Sequence, residues 1–192
     1  MFSRTDALRI LVEEYPTEPL IVNVGATIRE MAAIGRSASH LYVLDSMGLP
    51  PAIGLGLSLA LAETAVDKCV TLEGDGGMLM GLSTLATIGH LKPSKLLLII
   101  LDNGCYASTG NQITCAPSVD FCVIAQGCGI RAMRPEGADA FRAALRQARD
   151  MQEPVVLHVP IGQQNLKVPY VLEDPVLLAD LFKSYIQKVA RG

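Results

Sequence analysis

Short apolar runs alternate with helix-forming stretches along the whole chain. The runs are four to seven residues long, mostly rich in branched side chains, and have the length of strands: 19–24, 41–44, 69–72, 95–101, 129–133 and 154–159. Runs that are continuous rather than alternating are typical of parallel strands covered on both faces. Helix candidates separate and follow them at 26–35, 50–63, 78–89, 118–126, 136–149 and 175–190. This order predicts an α/β fold: a doubly wound, mostly parallel six-stranded sheet with helices on both faces.

Composition limits the classes of protein to which the chain can belong. Its 192 residues suit one domain, which we expect to span 1–192, and no repeat or linker divides it. A net charge of −3 without a basic block argues against binding to nucleic acid. The hydrophobic share of 50% indicates either a well-buried α/β core or a surface that a partner chain covers.

Neither membrane insertion nor secretion is indicated. The longest uncharged apolar segment, 49–62, is shorter than the ~20 residues that span a bilayer, and it contains two prolines. The N-terminal MFSRTDALRILVEEYP carries five charges, so it predicts an amphipathic helix and not a signal peptide. The five cysteines form no CxxC pair, which argues against a metal cluster or a disulfide framework and favours a cytoplasmic location.

Four predicted strand ends carry clusters of small and polar residues. They are VGAT (24–27), LDSMG (44–48), EGDGG (73–77) and LDNGCYASTGNQ (101–112). Because ligands of open α/β sheets bind beyond the carboxyl ends of the strands, these segments form the candidate site. A Walker loop is excluded, since no lysine follows the glycines as in GxxxxGK. A GxGxxG fingerprint is disfavoured, since Gly74-Asp75-Gly76 is followed by Gly77-Met78-Leu79.

Asp75 and Asn103 are 28 residues apart, an interval that one helix and one returning strand fill. This places both side chains at neighbouring strand ends, where a carboxylate and an amide oxygen suit Mg²⁺ completed by phosphates and water. A helix beginning near Met78 would point free N–H groups at the same place and favour a phosphate. Taken singly, Asp75 is explained as an N-cap and Asn103 as a turn residue. Together they predict a site for magnesium and a diphosphate.

With this interval, the GDG segment and the terminal Asn103 resemble the signature of thiamine diphosphate-dependent 2-oxoacid decarboxylases and their relatives. Where that family has paired asparagines, this chain has Asp102-Asn103. The resemblance implies thiamine diphosphate and Mg²⁺ as cofactors, with the ion held by Asp75, Asn103 and the backbone carbonyl of Cys105. It also implies that Tyr106, Ala107 and Ser108 lie along the diphosphate, although Tyr106 is equally explained by packing. The other cofactor-binding residues that it implies here are Gly74, Asp75, Gly76, Gly77, Asn103 and Cys105.

A second stretch carries the same resemblance. Asp45-Ser46-Met47-Gly48 looks like the family's Gly-Ser-Met-Gly segment, in which the apolar residue, here Met47, holds thiamine in its bent shape. By that resemblance the backbone carbonyl of Asp45 accepts from the 4′-amino group, and Ser46 belongs to the same contact. Thr27, in Gly25-Ala26-Thr27, would be a further diphosphate contact. On its own, Met47 is more simply explained by core packing before a buried helix.

The resemblance covers only the diphosphate-binding half of such an enzyme. In the family, a glutamate of a separate pyrimidine-binding domain activates the cofactor, so no catalytic residue is assigned on this chain. Glu73 adjoins the site, but at its diphosphate end. We therefore expect a partner, an α subunit with the pyrimidine-binding domain and its glutamate, in a hetero-oligomer. The stretches DSMGLPPAIGLGLSLAL, GDGGMLMGLSTLATIG, DNGCYASTGNQIT, IAQGCGI and KVPYVLEDPV most resemble the β subunits of sulfopyruvate decarboxylases, and next phosphonopyruvate decarboxylases.

The loop ASTGNQ suggests how a substrate would be held. Its side chains could orient a small anionic 2-oxoacid, or simply cap the loop and the next helix: Ser108, Thr109, Asn111 and Gln112. Two alternatives stay open, another heteromeric decarboxylase or carboligase subunit, and a noncatalytic cofactor-binding or regulatory subunit. A ferredoxin-linked oxidoreductase subunit is disfavoured because no cysteine cluster is present for an iron–sulfur centre. The three histidines, His40, His90 and His158, are expected to be structural or surface residues.

Overall fold

The computed structural model of the protein describes residues 2–191. Its strands in chain order are β1 (Leu20–Val22), β2 (His40–Tyr42), β3 (Cys69–Gly74), β4 (Leu96–Asp102), β5 (Cys105–Tyr106), β6 (Gln112–Ile113), β7 (Arg131–Met133) and β8 (Val155–Pro160). Its helices are α1 (Arg4–Glu14), α2 (Ala26–Ile34), α3 (Pro50–Ala60), α4 (Asp75–Met80), α5 (Thr84–Leu91), α6 (Phe121–Gly127), α7 (Ala138–Asp150) and α8 (Pro175–Val189). None of the helices in this part of the chain is long and apolar enough to cross a membrane.

The main sheet has six parallel strands in the order β2-β1-β3-β4-β8-β7. The prediction of a doubly wound parallel sheet with six strands is therefore confirmed, and each predicted run overlaps one of these strands. From β1 the chain continues to β2, which lies next to β1 towards one edge of the sheet. From β3 it continues to β4, which lies towards the opposite edge. The carboxyl ends of β1 and β3 therefore flank the switch point, where open α/β sheets bind ligands.

The two faces of the sheet are covered by different helices. In β4, Leu97, Ile99 and Leu101 pack with residues of α1, α2 and α7, whereas the alternate side chains face α3, α4, α5 and α6. Strand side chains point alternately to opposite faces, so one uninterrupted apolar strand contributes to both cores. The helices on both faces confirm that part of the prediction.

One predicted helix is wrong in its bounds. The stretch 78–89 was expected to form one helix from Met78, but the chain forms α4 from Asp75 and, after a break at 81–83, α5. Gly81 lies at the break, and a side chain there would overlap the backbone oxygen of Gly48. The break thus lets the 44–48 segment approach the end of α4. A second difference is a small antiparallel hairpin formed by β5 and β6. Strands of two residues are too short to give a recognisable sequence pattern.

Candidate functional site

A pocket lies at the switch point, between the segments that follow β1, β3 and β4. Most of the predicted cofactor residues line it: Thr27, Met47, Gly74, Asp75, Gly76, Gly77, Asn103, Cys105, Tyr106, Ala107 and Ser108. Of the predicted substrate residues, Ser108 and Thr109 line the pocket, whereas Asn111 and Gln112 are exposed on the loop outside it. Asp45 and Ser46 lie beside the pocket without lining it. The polar strand ends therefore converge as expected.

Three oxygen atoms face one another at the ends of β3 and β4. In one of the two orientations of its amide, Asn103 Oδ1 lies 3.1 Å from Asp75 Oδ1 and 2.9 Å from the backbone oxygen of Cys105. Rotated by half a turn, the amide nitrogen donates to both of these oxygens instead. An octahedral Mg²⁺ with ligands at ~2.1 Å places neighbouring oxygens about 3 Å apart. The residues present therefore fit a small, hard cation.

Asp75 is held by residues outside the GDG segment. Thr114 Oγ1 donates to Asp75 Oδ2 at 2.6 Å, which leaves Oδ1 to face Asn103. Burial raises the pKa of the Asp75 carboxyl, against the hydrogen bond from Thr114. A nearby cation would offset this cost of burying the charge. Thr114 was missed in the sequence, since a threonine in a loop has no distinguishing pattern.

Two of the glycines after β3 make room for particular side chains. A Cβ on Gly76 would overlap the ring of Tyr106, and one on Gly77 would overlap the carboxylate of Glu73. Both residues lie in α4, where glycine destabilises a helix relative to alanine. The glycines are therefore explained by close packing around the pocket.

Glu73 fastens the 44–48 segment to the end of β3. It is 1% exposed, and its carboxylate accepts from the backbone N–H of Gly48 at 3.1 Å and of Gly74 at 2.9 Å. Burial raises its pKa to about 7, although both of these hydrogen bonds oppose the rise. Because Met47 precedes Gly48, Glu73 sets the position of the residue expected beneath thiamine.

Asp45 stands at the position where the resembled family has glycine, and its backbone adopts a conformation that favours glycine. Its φ is 55°, in the left-handed region, and Gly48 after it has a φ of 80°. Aspartate tolerates this conformation better than most residues. The side chain is exposed and is not part of the pocket lining. The substitution therefore keeps the turn that presents Met47.

Asp102, which replaces the other family asparagine, pairs with a buried histidine. His158 Nε2 lies 2.7 Å from Asp102 Oδ2, while Asp102 Oδ1 accepts from the backbone N–H of Gly104 at 3.0 Å. Burial would raise the pKa of Asp102, but the hydrogen bond to His158 and the partial charge of its ring lower it below its usual range. The pair connects β8 to the turn that carries Asn103, so the expected structural role of His158 is confirmed.

Arg4 is the unexpected member of the pocket lining. It begins α1 and donates from Nη1 to Glu30 Oε1 at 3.0 Å and to Asn165 Oδ1 at 2.7 Å. The amphipathic N-terminal helix was predicted correctly, but Arg4 was considered only as one of the five charges that argue against a signal peptide. Its partners are distant in sequence, so no local pattern could have indicated this burial.

The chain belongs to the thiamine pyrophosphate enzymes, as the family "Thiamine pyrophosphate enzyme, C-terminal TPP binding domain" matches residues 24–159. The chain is also similar to individual decarboxylases over most of its length. It is 37% identical to the sulfopyruvate decarboxylase subunit beta of Methanothermobacter thermautotrophicus, over 89% of this chain and 88% of that one. It is 35% identical to the phosphonopyruvate decarboxylase of Streptomyces hygroscopicus, over 82% of this chain but only 39% of that one.

Solved structures show the same fold in longer chains. The benzoylformate decarboxylase of Polynucleobacter necessarius superimposes with a TM-score of 0.71 at 18% identity, over 84% of this chain. The chain spans about a third of the length of that structure, 33%. It therefore corresponds to one part of the single-chain protein.

Proposed function

We propose that the chain is the β subunit of a heteromeric, thiamine diphosphate- and Mg²⁺-dependent decarboxylase that converts sulfopyruvate into sulfoacetaldehyde and CO₂. The observation that carries this proposal is the convergence of the oxygens of Asp75, Asn103 and Cys105 beside the glycines of α4. The similarity to sulfopyruvate decarboxylase β subunits over nearly their whole length supports the choice of substrate.

Each part of the pocket has a proposed task. Asp75, Asn103 and the backbone oxygen of Cys105 hold Mg²⁺, while the residues after β1, β3 and β5 surround the diphosphate. Met47 supports thiamine, with the backbone of Asp45 and Ser46 beside it. The exposed loop side chains orient the anionic substrate: Ser108, Thr109, Asn111 and Gln112. When bound, the cofactor supplies the electron sink for decarboxylation of a 2-oxoacid.

We further propose that residues 1–192 act as one domain and that a partner completes the site. The partner, an α subunit with a pyrimidine-binding domain, contributes the activating glutamate. Glu73 is not assigned this role. Its carboxylate already accepts from the backbone N–H of Gly48, in the 44–48 segment, and from that of Gly74, at the end of its own strand. A cytoplasmic hetero-oligomer agrees with the five free cysteines of the chain.

Two other functions remain as outcomes of the test. Similarity to phosphonopyruvate decarboxylases favours a phosphonate analogue of the same substrate. A noncatalytic cofactor-binding subunit would use the same pocket without turnover.

Calorimetric titration of thiamine diphosphate with Mg²⁺ into the chain, with and without its partner, tests the proposal. We expect tight binding only when both chains are present, followed by CO₂ release from sulfopyruvate in preference to phosphonopyruvate. Release from phosphonopyruvate alone would change the substrate. Binding without any release from a panel of 2-oxoacids would indicate a noncatalytic subunit, and no binding in either condition would remove the proposal.

A further inference from the structure

Arg4 is a buried cation in the wall of the cofactor pocket. It is 4% exposed and lines the pocket. Both of its hydrogen bonds leave from Nη1. Among residues 2–191, neither Nε nor Nη2 of Arg4 finds a hydrogen-bond acceptor with good geometry, and neither atom is fully enclosed. Buried guanidinium groups normally use more of their five donors, so Arg4 has donors left for an occupant of the pocket.

The carboxylate paired with Arg4 is shared among several donors. Glu30 Oε1 also accepts from the backbone N–H of Leu166 at 3.1 Å, and Oε2 accepts from Thr5 Oγ1 at 2.7 Å. Glu30 therefore anchors Arg4, its neighbour Thr5 and one other segment, at Leu166. This fixes the guanidinium in place, which suits a binding group, because little side-chain entropy is lost when a ligand arrives.

Other groups on the same side of the pocket also favour an anion. Helix α2 begins one turn before Glu30, and its N-cap, Gly25, has no side chain to satisfy the free N–H groups. Asn23 lines the pocket, and its Nδ2 donates only one long hydrogen bond, of 3.3 Å, to the backbone oxygen of Val24. Helix N-termini and unused amide groups bind phosphate oxygens.

The position of Arg4 relative to the oxygen set narrows the choice of anion. Arg4 lines the same pocket as Asp75, Asn103 and Cys105. It therefore shares a pocket with the oxygen set, beside which a Mg²⁺-bound diphosphate would lie. We propose, resting on the proposed function, that Arg4 binds the terminal phosphate of thiamine diphosphate through Nε and Nη2.

The test compares thiamine diphosphate with thiamine monophosphate, which lacks the terminal phosphate. Both are titrated calorimetrically, at saturating Mg²⁺, into the chain with its partner subunit. We expect Arg4→Gln to weaken the diphosphate by about 10- to 100-fold, as for loss of charge-assisted hydrogen bonds. The monophosphate should change by less than about 2-fold, and Arg4→Lys should restore part of the affinity.

Glu30→Gln is the matched control, because it keeps Arg4 and removes the opposing charge. It should raise the affinity for the diphosphate more than for the monophosphate, opposite in sign to Arg4→Gln. If Arg4→Gln does not fold, the effect of Glu30→Gln on the two ligands decides alone. An affinity of Glu30→Gln for the diphosphate that equals or falls below that of the wild type would overturn the role of Arg4. Equal weakening of both ligands by Arg4→Gln would show a merely structural role. A changed KM for the 2-oxoacid with unchanged cofactor affinity would assign Arg4 to the substrate and also overturn it.

The outcomes separate the two proposals. Wild-type protein that binds no thiamine diphosphate would remove the proposed function itself. Wild-type binding that Arg4→Gln leaves unchanged would remove only the role of Arg4.

Discussion

The two carboxylate oxygens of Asp75 have different partners, and this division makes the residue testable. Oδ2 accepts from Thr114, whereas Oδ1 faces the amide of Asn103, which also lies against the backbone oxygen of Cys105. We expect Asp75→Ala to abolish Mg²⁺-dependent cofactor binding, because it removes the only charged group of the oxygen set. Thr114→Val should be milder, about 10- to 100-fold weaker for Mg²⁺, since it removes only the group that orients Asp75. Titration of Mg²⁺ at fixed thiamine diphosphate measures both, and undiminished affinity in Asp75→Ala would contradict the metal assignment.

How much of the site a sequence can predict differs from residue to residue. Asp75 and Asn103 were predictable, because the strand–helix–strand interval between them places both at neighbouring strand ends. Arg4 and Thr114 were not, since their roles depend on contacts with Glu30 and Asp75 that only the folded chain brings together. Side chains that act on the pocket through another residue leave no spacing pattern.

His40 should give the protein an acid-sensitive contribution to stability. Burial in β2 lowers its pKa to about 4, from an ordinary value of 6.5. The unfolded chain therefore takes up this proton more readily than the folded one. The contribution is complete above about pH 6.5 and is lost as the pH falls towards 4, by roughly 3 kcal/mol at most.

Urea denaturation of the wild type and of His40→Phe between pH 7 and pH 4 measures this contribution. Glu73, whose pKa is raised to about 7, has the opposite slope in part of this range, so only the difference between the two proteins isolates His40. The free energy of unfolding of His40→Phe, relative to that of the wild type, should rise as the pH falls. His90→Phe, at an exposed histidine, is the control. A difference that does not vary with pH would contradict the prediction.

At the scale of elements, helix α3 offers two glycines with opposite expectations. Gly54 lies against β3, where a Cβ would overlap the side chain of the buried Thr71, whereas a Cβ on Gly56 would meet nothing. Gly54→Ala should push α3 away from the sheet and destabilise the fold by about 1–3 kcal/mol. Gly56→Ala should stabilise it by roughly 0.5–1 kcal/mol, because alanine loses less entropy in a helix. Denaturation midpoints measure both, and a stabilised Gly54→Ala would contradict this packing.

The elements that could be predicted from the sequence are those whose structure depends on the pattern of their own residues and not on contacts with distant parts of the chain. The buried strands were predictable because an uninterrupted apolar run such as 95–101 has few other uses in an α/β chain. The break between α4 and α5 was not, because it depends on the approach of Gly48 to Gly81, far apart in sequence. The β5–β6 hairpin is similarly dependent on its surroundings, since it forms over the residues that approach Asp75.

For the whole molecule, the apolar composition supplies a buried core and also leaves large apolar side chains exposed. The two faces of the sheet bury continuous apolar cores. Large apolar side chains nevertheless stay exposed near the pocket, where Met80 is 64% and Ile113 is 80% exposed. Met80 ends α4, and the hairpin of Ile113 follows the oxygen set. A partner that delivers a glutamate to the cofactor must approach from this same edge.

We therefore expect the partner subunit to cover Met80. Met80→Glu should weaken association of the two chains by about 10-fold or more, because an interface would have to bury a charge where it buried a thioether. Leu59→Glu is the control, since Leu59 is 42% exposed near the end of α3, and helices that begin at the carboxyl edge end at the opposite one. Sedimentation velocity of the mixed subunits measures both affinities. If Leu59→Glu weakened the complex while Met80→Glu did not, the partner would bind away from the pocket, and completion of the site by a glutamate from that chain would be untenable.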